Sequence, residues 1–147
     1  MDLQKPGVKL YFDPSTAPAE AADFVKVFQV WLQKGVLSGL WIDAVDYSHV
    51  PKGPGAVLVG HEANLSYERG GTGPAILFLR KTPMEGTLAE RLRLVLGGAL
   101  QAARLLGQEA SFKPALRFDS NRLALVIHDR LRVPNTEESL KALRSEL

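Results

Sequence analysis

The sequence predicts an α+β fold, a two-layer sandwich with helices on one face of a largely antiparallel sheet. Two patterns predict it. Short β-branched and aromatic runs are closed by Gly- and Pro-rich turns, as between Tyr47 and Ala56 and between Arg69 and Pro74. Two longer stretches instead repeat apolar residues at helical spacing. The expected order is β-α-β-β-β-α-β-β-α. Hairpin-joined strands and striped helices pack most simply as one sheet under one helical layer.

Val8 to Phe12 reads as the first strand, ended by Asp13-Pro14. Thr16 then offers a side-chain cap for a helix from about Ala17 to Lys34, with Pro18 in its first turn. Ala21, Phe24, Val25, Phe28, Trp31 and Leu32 form its apolar stripe, and Gly35 stops it. Such an aromatic stripe is core material rather than a cofactor box.

Trp41 to Lys81 is the centre of the chain. Leu40–Tyr47, Ala56–Tyr67 and Pro74–Lys81 read as three strands. Alternation along the middle strand puts Val57, Val59, His61, Ala63, Leu65 and Tyr67 on a core-facing side. Leu58, Gly60, Glu62, Asn64 and Ser66 take the other side, and Gly60 signals a bulge or a close backbone approach. With plain hairpins, the register sets Asp43, His61 and Lys81 in a row on one face and Glu62 opposite Arg80 on the other.

Thr87-Leu88-Ala89-Glu90 matches a capping box and opens a second helix that runs to about Gly107. Its Gly97-Gly98 pair costs about 1 kcal/mol per residue relative to alanine, so something is expected to approach closely there. Phe112–Phe118 reads as a short strand broken near Pro114, and Asp119-Ser120-Asn121 as a turn. Leu123–Asp129 is apolar on both faces, which places it centrally in the sheet. Asn135 and Glu138 fit the cap of a last helix. The order of elements resembles a ferredoxin-like βαββαβ plan with extra strands, a plan that carries many functions. No repeat or linker divides the chain, so residues 1–147 read as a single domain.

Composition removes several function classes. There is no cysteine, which excludes disulfides, thiolate nucleophiles and cysteine-held zinc or iron–sulfur groups. The net charge is +2, and the 18 Lys and Arg residues are spread without a long basic run, so no nucleic-acid partner is expected. No stretch is apolar enough to span a membrane, and Met1–Gly7 lacks the apolar core of a signal peptide, so the expected compartment is the cytoplasm.

Motifs narrow the chemistry further. Gly53-Pro54-Gly55 and Gly70-Gly71-Thr72-Gly73 lie between strands rather than before a helix, so they are turns and not phosphate cradles. There is no GxSxG, and Ser48 beside His49 is adjacency without triad geometry. Asp46-x-x-His49 offers two ligand types at a strand end, but without HExxH or paired histidines at helical spacing no metal site is expected. Nothing in the sequence specifies a cofactor.

Two function classes remain. The leading expectation is a non-catalytic interaction module that self-associates, as a dimer, and takes a small anionic ligand. Trp41, Tyr47 and Tyr67 would be its aromatic anchors. The alternative is a small enzyme or an anion- or metal-binding protein. It would use Asp43, His49, His61, Glu62, Arg80 and His128, with His61 as acid–base and Arg80 as anion holder.

Overall fold

The computed structural model describes residues 2–16 and 19–147. In these, six strands form one antiparallel sheet and three helices accompany it, the α+β plan expected from the sequence. The elements are β1 (Pro6–Phe12), α1 (Ala21–Lys34), β2 (Trp41–Asp46), β3 (Ala56–Gly60), β4 (Ala63–Glu68), β5 (Ala75–Arg80), α2 (Leu88–Gly107), β6 (Phe118–Ile127) and α3 (Glu137–Glu146). Across the sheet the strands lie in the order β2-β3-β4-β5-β1-β6. The run β2 to β5 is a meander of hairpins, and β1 closes it by pairing with both β5 and β6.

One core fills the space between the sheet and two helices. α1 packs on β2 and β3, and α2 packs on β1 and β5. Val8, Leu10 and Phe12 from β1, Leu58, Leu65, Tyr67 and Ile76 from the meander, and Phe24, Phe28, Val95, Ala99 and Leu106 from the helices form this cluster. These residues recur at period two on strands and at three-to-four spacing on helices, which is what turns one side of each element inward. On the opposite sheet face Lys9 reaches across to Glu68 at 2.7 Å.

Several expectations are corrected at the level of single elements. The expected strand from Ala56 to Tyr67 is two strands, because His61 and Glu62 form a two-residue turn between β3 and β4. Alternation therefore breaks there: Leu58 joins the core cluster from β3 while Leu65 and Tyr67 join it from β4. Phe112–Phe118 is not a strand; it is a loop with a cis Lys113–Pro114 bond, and β6 begins only at Phe118. β6 includes Asp119-Ser120-Asn121, where the turn chemistry acts as an irregularity inside the strand: the Asn121 amide donates to the Asp119 carboxylate at 2.9 Å, and the pairing with β1 shifts between Leu10–Leu123 and Phe12–Phe118. That strand is an edge of the sheet, not its centre, and Leu123 is exposed on it.

The helix ends show which local signals acted. Thr87 and Glu90 form the predicted capping box, the Glu90 carboxylate accepting the Thr87 amide at 2.7 Å. Gly35 closes α1 in the left-handed conformation that glycine adopts without strain. α1 begins after Glu20 at Ala21, so Thr16 is not its cap; the expected start at Ala17 and the place of Pro18 lie outside the described residues. The last helix is capped by Thr136, which accepts the Ser139 amide, and not by Asn135.

Two glycines are explained by close neighbours. A Cβ on Gly60 would run into the Ala63 carbonyl oxygen across the hairpin and lie 2.8 Å from the Trp41 ring, so the close approach expected there is made by backbone as well as by that indole. The bulge lies on β2 instead, between Trp41 and Asp43. A Cβ on Gly98 would lie 2.5 Å from the Phe78 ring, whereas one on Gly97 would meet nothing within 4 Å. Gly98 therefore lets α2 settle onto β5. Gly98→Ala is expected to destabilise the fold by about 1–3 kcal/mol through overpacking against Phe78, read as a lower urea midpoint. An unchanged midpoint would show that the ring moves aside freely.

Candidate functional site

The best-formed cavity lies where the C-terminal end of β1 meets α1, β4 and β6. Tyr11, Phe12, Asp13 and Thr16 come from β1 and the loop after it, Phe24 from α1, Tyr67 from β4, Pro74 from the β4–β5 turn and Arg122 from β6. Its volume is about 220 Å³. The strand end is held open in a defined way. The Phe12 amide donates to the Pro74 carbonyl at 3.1 Å, and the Asp13 amide to the Arg117 carbonyl at 2.8 Å. Both prolines, Pro14 and Pro74, sit at chain reversals where a regular ladder stops.

The floor is aromatic. The rings of Phe24 and Tyr67 stack with centroids 3.9 Å apart and planes 13° apart. Phe12 meets the Tyr67 ring edge-on at 6.0 Å and 70°. The Tyr67 hydroxyl donates to the Ala19 carbonyl at 2.7 Å, just before α1. Burial raises the Tyr67 phenol above its ordinary pKa.

The rim carries both signs of charge. Arg122 lies over the Tyr11 ring with its guanidinium carbon 3.9 Å from the centroid, a cation–π arrangement. Its Nη2 donates to the Thr72 carbonyl at 2.9 Å, and the Tyr11 hydroxyl and Thr72 hydroxyl share a 2.6 Å hydrogen bond. These contacts fix the plane of the guanidinium at the cavity edge. Asp13 is turned onto Ser15, accepting its amide at 2.9 Å and its hydroxyl at 2.7 Å. Those two bonds hold the Asp13 carboxyl below the usual carboxylate range.

The residues singled out from sequence lie elsewhere, and at four separate places. Asp43 is exposed on β2 opposite Val59, its carboxylate accepting the following Ala44 amide at 2.8 Å. His49 is exposed in the turn after β2, with its ring 6.4 Å from Tyr47. His61 and Glu62 form the β3–β4 turn, and Glu62 pairs with Arg80 at 2.7 Å. His128 is exposed just past the end of β6. The structure thus joins Glu62 with Arg80 but does not form the row Asp43–His61–Lys81. The His61 amide donates to the Leu40 carbonyl, and the Lys81 ammonium to the Gly60 carbonyl at 2.8 Å. Among the described residues no group of three or more His, Asp or Glu side chains is placed to hold a metal ion.

The aromatic anchors are also redistributed. Tyr67 is 1% exposed and belongs to the core, and Trp41 is half-buried against Phe78 at 6.1 Å. Of the three, Tyr47 is the exposed one. The cavity residues Tyr11, Asp13 and Arg122 were missed because each has a plain local role: strand residue, strand end and post-turn charge. The usable signal was indirect. Arg122 follows the polar triplet Asp119-Ser120-Asn121 and opens an apolar run.

No model of a known protein family matches this sequence, and no curated protein or solved structure matches it either. Among the described residues no helix is long and apolar enough to cross a membrane.

The raised Tyr67 phenol sets a pH dependence with a definite sign. An acid whose folded-state pKa is raised keeps its proton in the folded chain after the unfolded chain has lost it. The stability it contributes is complete below the unfolded value of about 10 and falls as pH rises from there through the folded-state pKa. Tyr67→Phe removes both this dependence and the bond to Ala19, which contributes about 0.5–1.5 kcal/mol. Urea unfolding is expected to show the wild type ahead at about pH 8 and its lead shrinking by about pH 11. A constant difference would contradict the burial argument.

Proposed function

We propose that the protein is a non-catalytic, self-associating module that holds a small monoacidic ligand with a flat apolar body. The observation that carries this is the cavity with stacked Phe24 and Tyr67 as floor and Arg122 at the rim. Stacked rings favour a planar apolar group by dispersion and area burial. The guanidinium fork carries N–H donors beyond the one given to Thr72, in a geometry that suits a carboxylate. The volume of about 220 Å³ is below the roughly 300–1,000 Å³ of sites for drug-sized ligands, so the ligand is small. Asp13 at the same rim would repel a second acidic group.

The non-catalytic part rests on what lines the cavity. The described lining residues include no histidine, serine or lysine, and the Asp13 carboxylate is engaged by Ser15. A nucleophile beside a base, or a base within reach of a bound proton, is therefore not what the lining offers.

The test uses benzoate and its neutral isostere benzamide as probes, followed by amide shifts in two-dimensional NMR. Benzoate should shift Tyr11, Phe24 and Tyr67 saturably. Arg122→Gln should weaken benzoate by about 10–100-fold, matching a charge-assisted hydrogen bond of about 1.5–3 kcal/mol, and leave benzamide nearly unchanged. Equal binding of the two probes, or shifts confined to other regions, would overturn the proposal.

A further inference from the structure

The exposed face of α2 is self-complementary about a point, with leucines matched at the inner positions and opposite charges at the outer ones. Gly97 is its centre. Leu94 and Leu100, three residues to either side, are 66% and 52% exposed. Arg93 and Gln101 follow at four, and Glu90 and Arg104 at seven residues from Gly97, and all but the half-exposed Gln101 are open to solvent. Spacings of three, four and seven lie along one face of a helix.

Gly97 has no internal explanation. Its neighbour Gly98 is required by the Phe78 ring, but a side chain at Gly97 would meet nothing within 4 Å. An exposed mid-helix glycine weakens the helix that carries it. Two exposed leucines flanking a bare backbone form a saddle into which another helix can settle more closely than ordinary side chains permit.

We infer that α2 crosses α2 of a second copy in antiparallel fashion, with the two-fold axis at Gly97. This inference rests on the self-association proposed above and names its surface. Two-fold symmetry makes the patch its own partner. In this register Gly97 faces its equivalent, Leu94 meets Leu100 of the other copy, Arg93 meets Gln101, and Glu90 meets Arg104. The two-fold repeats each pairing, so apolar side chains surround the crossing and opposite charges close both ends. A parallel crossing would instead set Glu90 against Glu90 and Arg104 against Arg104. The Glu90 carboxylate also serves the Thr87 cap through one oxygen, Oε2, which leaves Oε1 to face Arg104.

The chain has no cysteine, so engineered thiols report position without background. Under mild oxidation at micromolar protein, G97C should form a covalent dimer, since disulfides need Cα atoms within about 4.4–6.8 Å. L94C mixed with L100C should cross-link to each other, and L94C alone should not. Sedimentation of the cysteine-free protein gives the oligomeric state independently, and Arg104→Glu, which sets two glutamates face to face, should raise the dimer dissociation constant by about tenfold or more. A dimer by sedimentation without the G97C cross-link would overturn the α2 surface and leave self-association standing. A monomer at about 100 μM, where a dimer with a Kd of about 1 μM would be almost fully formed, would overturn both.

Discussion

Tyr67 is held on two sides at once. Its ring stacks on Phe24 of α1, and its hydroxyl bonds the carbonyl of Ala19, just ahead of the same helix. One side chain of the central strand β4 thereby fixes both the height and the end of α1 above the sheet. Ring stacking alone would allow α1 to slide parallel to the ring planes, because apolar burial is non-directional. A buried hydroxyl with one carbonyl partner is directional, and leaving either group unpaired would cost about 1–3 kcal/mol. The cavity follows from this attachment. α1 is anchored at its first turn while β1 turns away at Asp13-Pro14, and the gap between them is floored by the rings that made the contact.

The rest of the helical layer depends on the same kind of fit, an aromatic ring meeting a position without a side chain. Phe78 meets Gly98 beneath α2, and Trp41 meets Gly60 at the edge of the meander. Trp41 and Phe78 in turn touch each other edge-on at 6.1 Å. This links β2, β3, β5 and α2 through two rings and two glycines. Interiors packed at such density transmit local changes, so a methyl added at Gly98 acts on more than one element.

The helices were legible in the sequence because their signals are local. The Thr87–Glu90 box and the apolar stripes of Phe24–Trp31 and Val95–Leu106 need only neighbours within a few turns. The strands were legible as runs but not as partners. His61-Glu62 carries no strong turn residue, so the hairpin there was hidden within an unbroken apolar pattern, and the faces were assigned through it. The Leu123–Ile127 run is apolar enough for a central strand, yet it is an edge, since pairing order is decided by β1 and not by composition. The cavity was the least legible part. Its lining comes from six segments that meet only in the folded chain, and its one guanidinium is positioned by Tyr11 and Thr72, far apart in sequence. The histidines attracted attention because histidine often does chemistry, but each of the three is exposed and apart from the others.

The most direct measurement of the central claim is amide hydrogen exchange on the wild type and Tyr67→Phe, compared residue by residue. If the Tyr67 hydroxyl anchors the start of α1, exchange should accelerate across the first turns of α1, from Ala21 to about Val25, with β2 to β5 unchanged. Exchange that is unaltered in α1, or accelerated evenly over the whole chain, would contradict the account. The first outcome would mean that stacking alone holds the helix, and the second that the hydroxyl contributes only to global stability.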